Sequence, residues 1–303
     1  MNNKKYLIIN ADDFGMSSEF NQAICSLMKQ GIVSSTSLMA NGMAYEEAIR
    51  DIHEYKFQNI GVHLTLTCDR FENDNKITYS SITRAHSIED MNGILFCSYR
   101  DLAANASDED IINEMYSQIM KINNAGIEFT HIDNHMYSVV HYLGFRGYKC
   151  FYKALHRIKT NRSIGFRHAT RKYEIDGVRS VFPGRKIQPY AWVMNYLHHL
   201  RCPNFVYTIP YASPLCESVE QKHDLLNTFF SNIKNGVSEL HVHPAVFSEE
   251  LRERNPTWKD RTNEYEALKC YSKDLLMEKY GITLISYANL AQDKPTTPFF
   301  TRI

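Results

Sequence analysis

Tyr6-Leu7-Ile8-Ile9-Asn10-Ala11-Asp12-Asp13-Phe14-Gly15 begins as a continuous apolar run and leads into two adjacent carboxylates before Phe14-Gly15. Tyr6 to Ile9 is short and apolar at every position, which suits a strand covered on both faces, as parallel sheets require. Asp12 and Asp13 then fall at its carboxyl end. Beyond Gly15, Ser17 can cap a helix with Glu19 in its first turn, and Gly31 ends it after Gln30. One strand, one loop and one helix thus follow in order.

The same order recurs downstream. Val33–Met39 reads as a strand, Ala44–Tyr55 as a helix, Ile60–Leu66 as a strand, and a helix from Asp108 carries Ile112, Met115, Tyr116 and Ile119 on one face. Phe129–Asp133, Ile164–His168, Phe205–Thr208, Glu239–Val242 and Thr283–Ser286 read as further strands. Helices near Tyr148–Thr160, Ser218–Ile233 and Glu264–Tyr280 separate them. This alternation predicts an α/β fold with a parallel sheet, either open and doubly wound or closed as a barrel. No repeat or Pro/Gly/Ser-rich linker divides residues 1–303, so one domain is expected, with loop excursions near 69–102 and 171–203.

Composition narrows the function classes. Lys plus Arg and Asp plus Glu both number 34, so there is no net-charge footprint for nucleic acid or an anionic membrane surface. Seven cysteines without a CxxC pair argue against a disulfide framework and a thiolate zinc site, and favour free thiols in a reducing compartment. The apolar run after the amino terminus is too short for a secretory signal, and no segment reaches membrane-span length. A cytoplasmic protein is expected.

His and Asp residues cluster in or just after the predicted strands. They are Asp12 and Asp13, then His63 in Gly61-Val62-His63, then His131, Asp133 and His135 in Thr130-His131-Ile132-Asp133-Asn134-His135, then His241 and His243 before Pro244. In parallel α/β folds the carboxyl ends of strands converge, so these groups can meet. Strand alternation points His131, Asp133 and His135 one way, and pairs His241 with His243. Burying so many polar rings needs partners, which a cation and hydrogen bonds supply; imidazole with carboxylate suits zinc, iron, nickel or manganese. Singly, each has a plainer reading: Asp12-Asp13 as a turn with a helix cap, His63 as a core histidine, His241-Val242-His243 as a strand edge. The combination points to a metal or catalytic site.

Several alternatives fail on context. Asp13-Phe14-Gly15 matches the kinase magnesium tripeptide, but no glycine-rich loop or β3 lysine precedes it. There is no GxSxG elbow and no phosphate-cradling GxxxxGK(S/T) loop. Two histidines and one carboxylate also make the facial triad of non-haem iron oxygenases. A non-catalytic sugar-binding protein is a third reading.

The motifs Ile9-Asn10-Ala11-Asp12-Asp13-Phe14-Gly15, Gly31-Ile32-Val33-Ser34-Ser35-Thr36, Gly61-Val62-His63, Thr130-His131-Ile132-Asp133-Asn134-His135 and Glu239-Leu240-His241-Val242-His243-Pro244 resemble those of the YdjC-like carbohydrate deacetylases, which include chitooligosaccharide deacetylases of the ChbG type. The resemblance implies a distorted (β/α) barrel related to polysaccharide deacetylases. It implies a hydrolase that removes acetyl groups from N-acetylated mono- or oligosaccharides with one divalent ion, magnesium or zinc. By the same resemblance Asp13, His63 and His135 are the metal ligands, Asp12 the base and His243 the acid. His131, Asp133 and His241 are left as groups that orient the ligands or touch substrate. A homodimer is compatible with this reading. Here Met136 and Tyr137 follow His135, where many relatives continue with further histidines.

Overall fold

The long first strand, β1 (Lys5–Phe14), lies inside a ten-stranded sheet of a computed structural model that describes residues 4–70, 76–158, 162–211, 213 and 216–292. The other strands are β2 (Ser35–Leu38), β3 (Ile60–Leu64), β4 (Asp69–Arg70), β5 (Lys76–Ile77), β6 (His131–Asn134), β7 (Ile164–Phe166), β8 (Arg179–Ser180), β9 (Leu200–Arg201), β10 (Phe205–Thr208), β11 (Gly236–Val242) and β12 (Ile282–Leu284). Helices α1 (Ser18–Gln30), α2 (Tyr45–Tyr55), α3 (Tyr99–Asn105), α4 (Asp108–Asn124), α5 (Gly144–Ile158), α6 (Gln188–Leu197), α7 (Val219–Asn232), α8 (Glu249–Arg254), α9 (Trp258–Lys269), α10 (Lys273–Tyr280) and α11 (Tyr287–Gln292) alternate with them. None of the described helices is long and apolar enough to cross a membrane.

Strand order is β8-β10-β11-β1-β2-β3-β6-β7-β9, with β12 beside the first half of β1 and β4–β5 forming a separate hairpin. Every ladder in the large sheet is parallel except β8–β10. The sheet curls strongly. Asp12 of β1 hydrogen-bonds Arg167, just after β7, although β2, β3 and β6 lie between those strands. A flat sheet would separate β1 and β7 by roughly 19 Å at the usual strand spacing. Among the described residues no ladder joins β8 to β9, so the result is an open barrel, the distortion expected of this fold.

Leu7, Ile9 and Ala11 face the outer apolar layer, a continuous cluster that also holds helix residues such as Phe20, Ile24, Ile112 and Met115. Ile8 faces the interior with Tyr287 and Leu290, so the apolar run is covered on both faces. Helix α1 ends where Gly31 takes a φ of 81° and its N–H reaches the carbonyls of Leu27 and Met28. The expected helix Glu264–Tyr280 is instead α9 and α10, because extended Ser272 breaks it and its side chain accepts from the N–H of Leu275. The two excursions are also partly ordered: 69–102 contains the β4–β5 hairpin and part of α3, and 171–203 contains β8, α6 and β9.

The barrel floor is built by close approach. His131 lies on β6 opposite Gly165 of β7, and its ring stacks on Tyr287 at 4.1 Å with an 11° tilt. On β3, a Cβ added to Gly61 would sit 2.4 Å from Nε2 of His131. Gly61→Ala therefore forces the ring off Tyr287 and is expected to cost about 1–3 kcal/mol of stability in urea unfolding. An unchanged unfolding midpoint would contradict this packing.

Candidate active site

One layer above that floor, the inward positions of successive strands are polar. Asn10, Asp12, Ser37, His63, Asp133, Arg167 and His241 are all buried, and the ladders set His63 beside Asp133 and Asn10 beside His241. The sequence of β1 would normally send Asp12 and Asp13 to opposite faces. Here Asp13 adopts φ 66°, and the β1–β2 register shifts between Ala11 and Phe14, so both carboxylates reach the barrel mouth. Asp tolerates this left-handed backbone better than most residues, and irregularities of this kind re-aim side chains next to active sites.

Asp13, His63 and His135 converge. Oδ1 of Asp13 lies 3.3 Å from Nε2 of His63 and 3.1 Å from Nδ1 of His135. The three donor atoms fall within 4.8 Å of one another, and all three residues are buried. Atoms bound to one ion at about 2.1 Å stand roughly 3.0–3.4 Å apart in octahedral or tetrahedral geometry, so this carboxylate and pair of imidazoles fit a divalent cation. His135 reaches the group through a strained turn, since Met136 and Tyr137 have φ values of 51° and 53°.

Electrostatics favour positive charge at this point. Asp12, Asp13, Asp69, Asp133 and Glu239 are all buried, against the buried guanidiniums of Arg167 and Arg261. Burial alone would suppress protonation of His63, yet Asp133 and Asp12 push it up to about 10. Burial is likewise outweighed at His135, which Asp69 and Asp13 raise to about 9. For Asp13, burial opposes ionisation, but contacts with His135 and His63 hold its carboxyl well below the usual range.

Beside this trio stands a second cluster on Asp12. Arg167 donates from Nη1 and Nη2 to the two oxygens of Asp12, each at 2.6 Å, and also reaches Asp133 (2.7 Å) and Glu239 (2.8 Å). Burial works to raise Asp12, but Arg167, His63 and His241 more than overcome it and keep it ionised. Burial itself pushes Glu239 up to about 7. Oδ2 of Asp12 lies 3.6 Å from Nδ1 of His241 and 3.7 Å from Nε2 of His243. Asp12, His241 and His243 thus form a second set of donors close enough to hold an ion. Arg167 occupies both oxygens of that carboxylate, which disfavours a second cation there.

His243 is backed by Tyr211, whose hydroxyl meets Nδ1, and by Glu264, which accepts the backbone N–H of His243 at 2.7 Å. Burial is the largest influence on His243 and leaves it near 4, a neutral ring at neutral pH. His241 meets the hydroxyl of Tyr137 at 2.6 Å through Nε2, so the residue found where further histidines were expected bonds the site. Burial and Arg167 keep His241 neutral as well.

The eight residues singled out from sequence divide cleanly by position. Asp12, Asp13, His63, Asp133, His135, His241 and His243 gather at the mouth. His131 lies apart on the floor, where burial leaves it neutral near 3 and Thr130 meets its Nδ1. Sequence reasoning passed over Arg167, Asp69, Arg261, Tyr211 and Glu264. Arg167 directly follows β7, so the strand-end rule applied to cations would have found it. Arg261 comes from helix α9 and lies 3.4 Å from Oδ2 of Asp13, a placement no local pattern announces.

Similarity to known proteins converges on one group. The sequence model described as YdjC-like protein matches residues 6–272. Carbohydrate deacetylase 1 of Listeria innocua is 25% identical over 287 residues, covering 94% of this chain and 99% of that protein. The carbohydrate deacetylase of Thermoanaerobacter pseudethanolicus is 25% identical over 247 residues, covering 82% and 84%. A crystal structure from Enterococcus faecalis V583, named for cellobiose-phosphate cleavage, superposes with a TM-score of 0.69 at 24% identity, covering 95% of this chain and 99% of that one. That likeness shows the shared fold.

Arg167→Met would leave Asp12, Asp133 and Glu239 buried without their shared cation. The expected loss is about 3–5 kcal/mol in urea unfolding near neutral pH. A loss below 1 kcal/mol would mean that the guanidinium does not hold the carboxylates together.

Proposed function

The chain belongs to the YdjC-like protein family, and from that premise we propose that it is a carbohydrate N-deacetylase, removing acetyl groups from N-acetylated mono- or oligosaccharides. The observation that carries this reading is the convergence of Asp13, His63 and His135 beside an independently held pair, Asp12 and His243. Asp13, His63 and His135 would hold one divalent ion, magnesium or zinc. Such an ion supplies Lewis acidity, which polarises a carbonyl and makes water easier to deprotonate.

The residues supply the rest. Asp12 is the base, ionised and fixed in orientation by the two-pronged grip of Arg167. The same grip makes it a weak base, ready to pass on any proton it accepts. His243 stands 3.7 Å away as the receiver. Because it is neutral at rest, it must gain a proton before it can give one to the departing amine nitrogen. Its backbone and ring are held by Glu264 and Tyr211. Asp133 fixes His63 by accepting at Nδ1, 2.6 Å away, which leaves Nε2 facing Asp13.

Acetate should appear when the protein, reloaded with magnesium or zinc, meets N-acetylated mono- and oligosaccharides. Asp12→Asn is expected to lower kcat by about 10²- to 10⁴-fold while ion affinity is retained. Absence of acetate with every sugar and ion would overturn the reading, and full activity in Asp12→Asn would remove the base assignment.

A further inference from the structure

The two histidines beside Asp13 face it through different nitrogens. His63 presents Nε2 at 3.3 Å and turns Nδ1 to Asp133. His135 presents Nδ1 at 3.1 Å and turns Nε2 to Oδ1 of Asp69, also at 3.1 Å. An ionised carboxylate accepts hydrogen bonds and donates none, and a neutral imidazole carries one N–H. Both nitrogens of His135 face a carboxylate, so it is a cation held on Asp13 that decides between them: Nδ1 must then offer its lone pair, and the one remaining proton lies on Nε2, where Asp69 accepts it.

We propose that Asp69 is a positioning residue for the cation site: it fixes His135 in the Nε2-protonated form, so that His135 binds the ion through Nδ1 while His63 binds through Nε2. This rests on the proposed cation site and extends it to the 69–102 excursion. Asp69 lies on β4 and is almost wholly buried, as is Tyr79. The hydroxyl of Tyr79 donates to Oδ2 of Asp69 at 3.0 Å, and its ring meets His135 edge-on at 5.8 Å. The segment is braced in turn. The N–H of Tyr79 reaches Sγ of Cys68 (2.9 Å), the N–H of Cys68 reaches the carbonyl of Phe96 (3.1 Å), and the N–H of Leu95 reaches the carbonyl of Tyr79 (2.8 Å). A long connection is thus tied down where Asp69 touches a ligand histidine. Partners of this kind typically govern 10- to 100-fold in metal affinity.

The test uses the full chain with Zn²⁺ as the probe ion. Long-range ¹H–¹⁵N spectra of histidine-labelled, zinc-loaded protein should show a protonated Nδ1 on His63 and a protonated Nε2 on His135. In Asp69→Ala, zinc affinity by calorimetry is expected to fall about 10- to 100-fold, and Asp69→Asn, which keeps an acceptor oxygen, should recover most of it. Two histidines both bound through Nε2 in the unaltered protein, or unchanged zinc affinity in Asp69→Ala, would overturn the proposal. The spectrum of the unaltered protein discriminates between the two binding modes even if the alanine variant does not fold. Mixed nitrogen binding without any acetate release would sink the deacetylase reading alone, and acetate release with Nε2 binding at both rings would sink this inference alone.

Discussion

Buried negative charge governs the architecture of this protein. Asp12, Asp13, Asp69, Asp133 and Glu239 are withdrawn from water at the mouth of a curled sheet, where an unpaired carboxylate is costly. Arg167 answers three of them, Arg261 answers Asp13, and the two histidines beside Asp13 are driven towards the charged form. The site is thereby divided into two halves. In one half, both oxygens of Asp12 are already taken by a fixed guanidinium; the other, around Asp13, favours further positive charge. Adjacent aspartates can serve different chemistry because their counter-charges differ.

The fold makes this division possible through a few local departures from regularity. Left-handed backbone at Asp13 and the shifted β1–β2 register bring two consecutive carboxylates to one mouth. The two edges of the open barrel, β8 and β9, both belong to the 171–203 excursion, while the floor is closed by His131, Tyr287 and two glycines that leave no room for a Cβ. Polar groups sit in layers above that floor because the inward positions of parallel strands fall at matching heights.

Much of this was legible in the sequence for physical reasons. Period-two alternation and strand-end placement gave the right face for His63, Asp133 and His241, and Gly31 marked the end of α1, whereas His135, expected as an extended continuation of the strand, lies past the end of β6 in a turn. Alternation specifies a face but not a depth, so His131 and His135 looked equivalent, although His131 opens β6 at the floor and His135 follows its end at the mouth. Strands β8 and β9 span two residues each, too few for any periodic signal. Asp69 and Arg261 reach the site from a hairpin and a helix, by tertiary packing that no local pattern encodes. The break between α9 and α10 turned on Ser272, whose capping role competes with an otherwise helical stretch.

The separation of the two halves is open to direct measurement by anomalous diffraction from crystals grown with a divalent transition metal. A single strong peak bounded by Asp13, His63 and His135, with the Arg167 grip on Asp12 intact, is the expected result. A peak held by Asp12, His241 and His243 instead, or no ordered ion at either cluster, would contradict it.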